Sequence, residues 1–390
     1  MHMNEVNGFA ADGFGPVADA YCKSVGDGEG GSALNIRVGG KTVVDLWAGL
    51  ADRHDGRAWA RDTPTVIFSC TKGLIAVLVA MLVGQGRLGL DRPVADYWPE
   101  FGAAGKEAVT VRQLLSHRAG LAAPREDISL ETALDWPSIV SVLASQEPLW
   151  KPGTAYGYHA LTYGWYVGEV IRRITGTSVG SFLQQSISGP LGADAWIGIP
   201  PSVEPRVARL NAGDSIRNPS ASGTRQPSED DLYWAGRTMT LGTAFPPELV
   251  VAGAGFDSPE VHQAEVPGAG GIATAAALAT IWSATVAPTE GVTLVESDVV
   301  NDMTQVQSEG EPVWWLPGPY PRWGTGFMLS SPRREFLTSS SFGHDGAGGQ
   351  VAFADPVHNV GFGYVTNTLE NQDDPRATSI VRALRRIVEP

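Results

Sequence analysis

The chain reads as an α/β protein of the α+β kind: an antiparallel sheet flanked by helices, with a mostly helical lobe inserted into it. Three observations lead there. Strand-like stretches lie near both ends, at 34–50 and 350–366, each broken by a tight turn. The run Leu74 to Val83 is apolar on every side, so a helix there belongs in the middle of a domain. Between these features, helical and turn-rich sequence replaces the alternating pattern. The order assigns 1–85 and 266–390 to one α/β domain, with a sheet built from both chain ends, and 86–265 to an inserted, mainly helical domain.

Each element has its local reason. A short helix is expected near 16–25. The glycines of 26–31 fit a dinucleotide fingerprint, but no strand precedes them and a strand, not a helix, follows. Residues 34–38 and 41–50 alternate around Gly39-Gly40 as a β-hairpin. Residues 63–69 lead into the apolar helix, and glycines at 84–89 end it. A helical section with many turn residues begins at Leu90-Asp91-Arg92-Pro93. Thr110 caps a helix over 110–116, and 117–121 is a turn. An amphipathic helix covers 161–175 and stops at Gly176, and another covers 178–187. Weak periodicity over 200–265 predicts long ordered loops. Pro267 to Gly271 precede an alanine-rich helix over 274–286. Trp314, Trp315, Tyr320 and Trp323 crowd a Pro/Gly segment and read either as packing or as a pocket wall. Strands at 350–354 and 360–366 flank a turn, and a helix over 377–387 closes the chain.

The chain has 390 residues, 43% of them hydrophobic, enough for one or two domains. A net charge of -14 argues against a nucleic-acid partner and an anionic membrane surface. The longest apolar run, about eleven residues, is too short to span a bilayer. Met1 to Val6 lack a basic segment followed by an apolar one, so the expected location is cytoplasmic, with no signal peptide. Cys22 and Cys70 make no disulfide framework. The histidines show no pair at helical ligand spacing and no CxxC exists, so neither a metal nor a cofactor is expected.

The chemistry starts at Ser69-Cys70-Thr71-Lys72, at the head of the apolar helix. Positions i and i+3 share a helix face, so Ser69 Oγ and Lys72 Nζ lie side by side where orphan N–H groups favour developing negative charge. Only five lysines occur, and only Lys72 follows a serine by three. A lysine on the first turn of a buried helix is expensive unless it is used. Serine needs a neighbour to take its proton. The bland alternative is an N-cap serine followed by a surface lysine. A second piece is Pro152-Gly153-Thr154-Ala155-Tyr156-Gly157-Tyr158, a loop leading into the 161–175 helix. Taken alone, Tyr158 reads as structural; beside a lysine cation its phenol pKa is expected to drop, which makes it a candidate base. The third is Phe342-Gly343-His344-Asp345-Gly346-Ala347-Gly348-Gly349, whose glycines let backbone approach a ligand closely. If the segment is a strand edge, the N–H of Ala347 can form an oxyanion hole with that of Ser69; the alternative is a glycine-rich bend joining strands.

These pieces, in this order, resemble the serine β-lactamase and DD-peptidase superfamily, and within it the class C β-lactamase-like group that includes the family VIII carboxylesterases. Ser69-x-x-Lys72 matches the first motif, Pro152-Gly153-Thr154 with Tyr158 the second, and His344-x-Gly346 stands where penicillin enzymes carry Lys-Thr-Gly. Leu114 to Leu121, and Gly270-Gly271-Ile272 with Thr274, resemble further landmarks. The likeness runs from about residue 30 to the C-terminus. It implies a β-lactamase-like fold with the site between its two lobes. It also implies Ser69 as acylated nucleophile, Lys72 and Tyr158 in proton transfer, and the N–H groups of Ser69 and Ala347 on the oxyanion. His344, Gly346 and Trp323 are the candidate substrate contacts. Two departures matter: Tyr158-His159-Ala160 lacks the amide of Tyr-x-Asn, and His344-Asp345-Gly346 lacks the Lys and Thr that engage a β-lactam carboxylate. Both weaken β-lactamase or peptidase activity and leave ester hydrolysis, so short-chain carboxylic esters are the expected small-molecule substrates. β-Lactam or amide hydrolysis is the alternative.

Gly176-Thr177-Ser178-Val179-Gly180 fits the G-x-S-x-G elbow of α/β-hydrolases, but that elbow needs a strand before it. Here a helix precedes, and Ser178 reads as the cap of the next helix. A non-catalytic binding protein on the same scaffold is a further alternative, opposed by the presence of both Ser69 and Lys72.

Overall fold

Period-two alternation builds a sheet that is buried on both faces. The computed structural model describes residues 5–25, 30–218, 226–315, 317–371 and 373–389. Its main strands are β1 (Asn7–Ala10), β2 (Gly31–Val38), β3 (Lys41–Asp52), β4 (Arg322–Trp323), β5 (Met328–Leu329), β6 (Phe342–Asp345), β7 (Val351–Asp355) and β8 (Val360–Thr366). They run in the order β1-β3-β2-β8-β7-β6-β5-β4, with Arg57–Ala58 added to β3 to make nine strands. Every pairing is antiparallel. The two chain ends meet at β2 and β8, where Ile36 lies opposite Phe362. The antiparallel sheet flanked by helices is the fold the sequence predicts.

Five helices frame it: α1 (Gly15–Val25), α2 (Cys70–Gly84), α3 (Thr162–Thr175), α4 (Ala275–Ser283) and α5 (Arg376–Val388). On one face Leu34, Ile36, Phe353, Phe362 and Tyr364 pack against Val17 and Tyr21 of α1 and Ile380, Val381 and Leu384 of α5. On the other, Ala33, Ala352, Ala354 and Val365 meet the core of α2 and α4. Small residues on that face let the helices lie close. A Cβ on Gly361 would overlap the Ala279 carbonyl, and one on Gly363 the Ala275 carbonyl, so α4 can sit there only over glycine. Leu74, Ile75, Val77 and Leu78 of α2 are completely buried. Each such side chain contributes roughly 1.5–3 kcal/mol from removal of apolar surface.

Several elements differ from expectation. The section after Leu90 folds as 3₁₀ turns, Val94–Asp96 and Pro99–Gly102, because prolines interrupt each start. The helix at 178–187 is shorter, Val179–Leu183, and runs into a π-turn at Gln184–Ser188. The 200–265 stretch holds a three-turn helix, Glu229–Thr240, set by a Ser228/Asp231 capping box. Trp136–Ser145, capped by Asp135, was also unanticipated. Short strand pairings tie this middle section to the ends. Ala195–Ile197 pairs with Gly271–Ala273, which pairs with Thr65–Val66, and Asn211–Ala212 runs parallel to Thr368–Leu369. Positions 26–29 of the glycine fingerprint lie outside the described residues. Among the described residues, no helix is long and apolar enough to cross a membrane, and no group of three or more His, Cys, Asp or Glu side chains could hold a metal ion.

Candidate active site

A strained turn delivers Ser69. The Thr65–Val66 strand passes into α2 through Phe68, whose φ of 43° is left-handed, a conformation costing about 1–3 kcal/mol for a non-glycine residue. The turn is held from outside. Ile67 N–H donates to the Gly271 carbonyl at 2.9 Å, Gly271 N–H donates to Thr71 Oγ1 at 2.9 Å, and the Thr71 hydroxyl donates to the Phe68 carbonyl. This accounts for Gly271: a Cβ there would meet Thr71 Oγ1. Ser69 stands at the N-cap position of α2 but makes no capping hydrogen bond, and it is half-buried rather than sealed. The cap reading of Ser69 therefore falls.

Its hydroxyl meets two other groups instead. Lys72 Nζ lies 3.1 Å from Ser69 Oγ, and Tyr158 Oη donates to Ser69 Oγ at 2.8 Å. Lys72 is completely buried. Its Nζ also donates to the carbonyls of Ala160 and Gly268, each at 2.6 Å, and lies 4.8 Å from the Tyr158 ring centre. Burial, opposed by the Asp345 carboxylate, pushes the ammonium down from 10.5 to about 7. Burial pushes the Tyr158 phenol the other way, well above its ordinary value, against a smaller lowering by the Ser69 hydrogen bond. The expectation of a lowered tyrosine pKa is thus reversed: desolvation of the phenolate outweighs any help from a lysine that is itself readily neutral.

Among the described residues, no hydrogen bond occupies the N–H of Ser69 or that of Ala347. The two segments are adjacent: a Cβ on Gly346 would overlap the Ile67 carbonyl oxygen, and Cys70 Sγ donates to the His344 carbonyl at 3.2 Å. Phe68 and Ala347 also share one apolar cluster with Leu249, Val250 and Phe256.

A family profile described as Beta-lactamase matches residues 19–385. The chain belongs to the beta-lactamase family. This family member is a hydrolase, and the proteins it is similar to include ones described as esterases, as a beta-lactamase and as penicillin-binding proteins. "Esterase/beta-lactamase LipL" of Mycobacterium tuberculosis is 31% identical over 345 residues, 87% of this chain and 77% of that one. A crystal structure of a family VIII carboxylesterase superposes with a TM-score of 0.86 at 34% identity, covering 98% of this chain and all of the other. A penicillin-binding protein homologue from Caulobacter crescentus gives 0.84 at 36% identity, with 98% and 100% covered.

In this beta-lactamase-family chain, the predicted substrate contacts sit differently from expectation. Trp323 is buried and stacks on Tyr158 at 5.2 Å between ring centres, so it packs the tyrosine rather than walling a pocket. His344 is buried too; its Nδ1 is 2.6 Å from the Asp345 carbonyl oxygen, which makes Nδ1 the protonated nitrogen. Burial first, then Lys72, pushes it down to about 4, so it brings no positive charge near neutral pH. Gly346 donates its N–H to the Gln350 carbonyl at 2.8 Å, and what it offers is the absence of a side chain beside Ile67. Ser178 is the N-cap of the Val179–Leu183 helix, and its hydroxyl bonds Glu265 at 2.6 Å.

Sequence reasoning missed the groups that hold Lys72 and Tyr158. The carbonyls of Ala160 and Gly268 have no side-chain signature. Gly164 was the available clue: a Cβ there would overlap Gly268 N, so α3 admits the 267–268 segment only because position 164 is glycine. His159 accepts from Leu121 N–H on Nε2 at 3.0 Å and has Nδ1 2.6 Å from the Gly157 carbonyl oxygen, which fixes a neutral tautomer. Burial pushes it down to about 3. His117, left-handed at φ 63°, accepts from His159 N–H at 3.2 Å and lies edge-on to Tyr158 at 4.9 Å.

Proposed function

We propose that the protein hydrolyses short-chain carboxylic esters through an acyl-enzyme on Ser69. The observation that carries this is the convergence of Lys72 Nζ and Tyr158 Oη on Ser69 Oγ, at 3.1 and 2.8 Å. Neutral Lys72 has two N–H groups, which the carbonyls of Ala160 and Gly268 occupy, and one lone pair left for the serine proton. Ser69 Oγ attacks the ester carbonyl as its proton passes to Lys72. The N–H groups of Ser69 and Ala347 receive the oxyanion. Tyr158 stays protonated until collapse, donates its proton to the departing alkoxide and regains one from the Lys72 ammonium. Water then takes the alcohol's place and the same relay releases the acid.

Three features favour esters over β-lactams. Ala160 has no side-chain amide to order the deacylating water. His344 is neutral, so it gives a substrate carboxylate no cation. Phe68 and Ala347, beside the nucleophile, belong to an apolar cluster, surroundings that suit an uncharged ester better than an anionic substrate. A charged hydrogen bond is worth on the order of 1.5–3 kcal/mol, roughly 10- to 150-fold in rate or affinity. The double description of the M. tuberculosis relative supports β-lactam hydrolysis as the second reading. The test is kcat/KM for nitrophenyl acetate and butyrate against nitrocefin and a penicillin on one preparation. Esters should win by at least tenfold, and β-lactams that match them would overturn the ester reading.

A further inference from the structure

The loop after β6 that carries Ala347 is wedged on both sides. Toward the nucleophile, Gly346 lies against the Ile67 carbonyl. On the far side Gly348 and Gly349 are left-handed, with φ of 87° and 115°. A Cβ on the first would overlap Leu369, and one on the second the Asp374 carboxylate. The loop's internal bonds are two: Gly346 N–H to the Gln350 carbonyl at 2.8 Å and Gly349 N–H to the Gly346 carbonyl at 3.4 Å. Neither reaches the Ala347–Gly348 stretch; its Gly348 carbonyl is held from outside the loop, first by the Glu370 backbone N–H at 3.2 Å.

Arg376, the first residue of α5, reaches it as well. Its Nη2 donates to the Gly348 carbonyl at 3.1 Å and to the Thr368 carbonyl at 2.8 Å, and its Nη1 to Thr366 Oγ1 at 3.4 Å. Asp374 holds the guanidinium from behind, accepting from Nε at 2.9 Å, from Nη2 at 2.8 Å and from the Arg376 backbone N–H at 3.0 Å. The Asp374 side chain is 2% exposed and that of Arg376 16%, so the pair is largely dry. A buried ion pair is a weak source of net stability, whereas a planar guanidinium fork fixes geometry well.

We propose that Arg376, oriented by Asp374, is a positioning residue for the oxyanion hole. By gripping the Gly348 carbonyl from the side opposite Ser69, it keeps the Ala347 N–H facing the Ser69 N–H. The inference rests on the acyl-enzyme reading above.

The experiment compares the parent with Arg376→Gln, Arg376→Lys and Asp374→Asn. Active sites are titrated with a fluorophosphonate, and rates are taken on nitrophenyl butyrate. Removing one oxyanion donor costs about 10²–10³ in kcat, and a displaced donor loses part of that. Arg376→Gln should lower kcat per labelled site by roughly 10- to 100-fold, with KM within about twofold. Affinity for butylboronic acid, a mimic of the tetrahedral state, should fall by the same factor as kcat. Arg376→Lys should recover part of both. Where Arg376→Gln does not fold, Asp374→Asn decides, with a kcat loss of about three- to tenfold and the same split from KM. Unchanged kcat per labelled site and unchanged boronate affinity, with only a lower Tm, would make the pair purely structural and overturn the proposal. If the parent's Ser69 takes no label, the acyl-enzyme reading fails first, and that result is visible before any Arg376 variant is made.

Discussion

The pH dependence of ester turnover tests the state of Lys72. The drop from 10.5 to about 7 corresponds to roughly 5 kcal/mol of discrimination against the ammonium. About half of Lys72 is then neutral at pH 7, where an ordinary lysine would be neutral in about one molecule in 3,000. The neutral amine accepts the serine proton, so activity rises with pH and is lost as pH falls through about 7. Measured on nitrophenyl butyrate from pH 5 to 9, log kcat/KM should climb with unit slope and level off above an apparent pKa near 7. Histidines are the usual owners of such a limb, but the three near the site are excluded. Burial pushes His159 to about 3, His344 to about 4 and His117 well below 6.5. The limb should therefore survive His344→Asn and disappear from the residual activity of Lys72→Arg, whose guanidinium does not deprotonate in this range. A flat profile across pH 5–9, or a limb that persists in Lys72→Arg, would refute the assignment of the base.

Three further outcomes follow from the geometry. Tyr158→Phe removes the hydroxyl but keeps the stack on Trp323; kcat should fall by about 10²–10⁴ with Tm nearly unchanged, and near-normal kcat would take the phenol out of the relay. Lys106 is a control for Lys72: it is also fully buried and pushed down by burial to about 8, but all its bonds go to the carbonyls of Ala103, Ala144 and Gln146, closing the end of the Trp136–Ser145 helix. Lys106→Met should lower stability by about 2–4 kcal/mol in urea unfolding and leave kcat per titrated site unchanged. Gly164→Ala drives a methyl into Gly268 N and displaces the carbonyl that holds Lys72, so kcat should drop at least tenfold along with a stability loss of about 1–3 kcal/mol; an unaffected kcat would show that the Gly268 carbonyl does not tune the lysine.

How much of this was legible in the sequence depended on whether the signal sat in side chains. The all-apolar 74–83 run and the alternating stretches read directly as a buried helix and an antiparallel sheet, because burial leaves a periodic trace. Ser69, Lys72 and Tyr158 stood out by spacing and by a loop-to-helix setting, and the structure brings them together. Their electrostatics did not stand out, because the direction of the Tyr158 shift depends on three-dimensional desolvation. Trp323 read equally as wall or packing until its stack on Tyr158 decided it. The helix Glu229–Thr240 was hidden by a polar, weakly periodic face, although Ser228 and Asp231 already spelled its cap. The carbonyls of Ala160 and Gly268 carry no letter of their own and show only through the glycines that let them approach.

The central claim is that Ser69 becomes acylated. Intact-mass analysis after treatment with a fluorophosphonate, followed by peptide mapping, tests it in one experiment. The account predicts a single adduct on the peptide carrying Ser69, none on the peptide carrying Ser178, and no adduct at all in Ser69→Ala. An adduct on Ser178, or one that persists in Ser69→Ala, would contradict it.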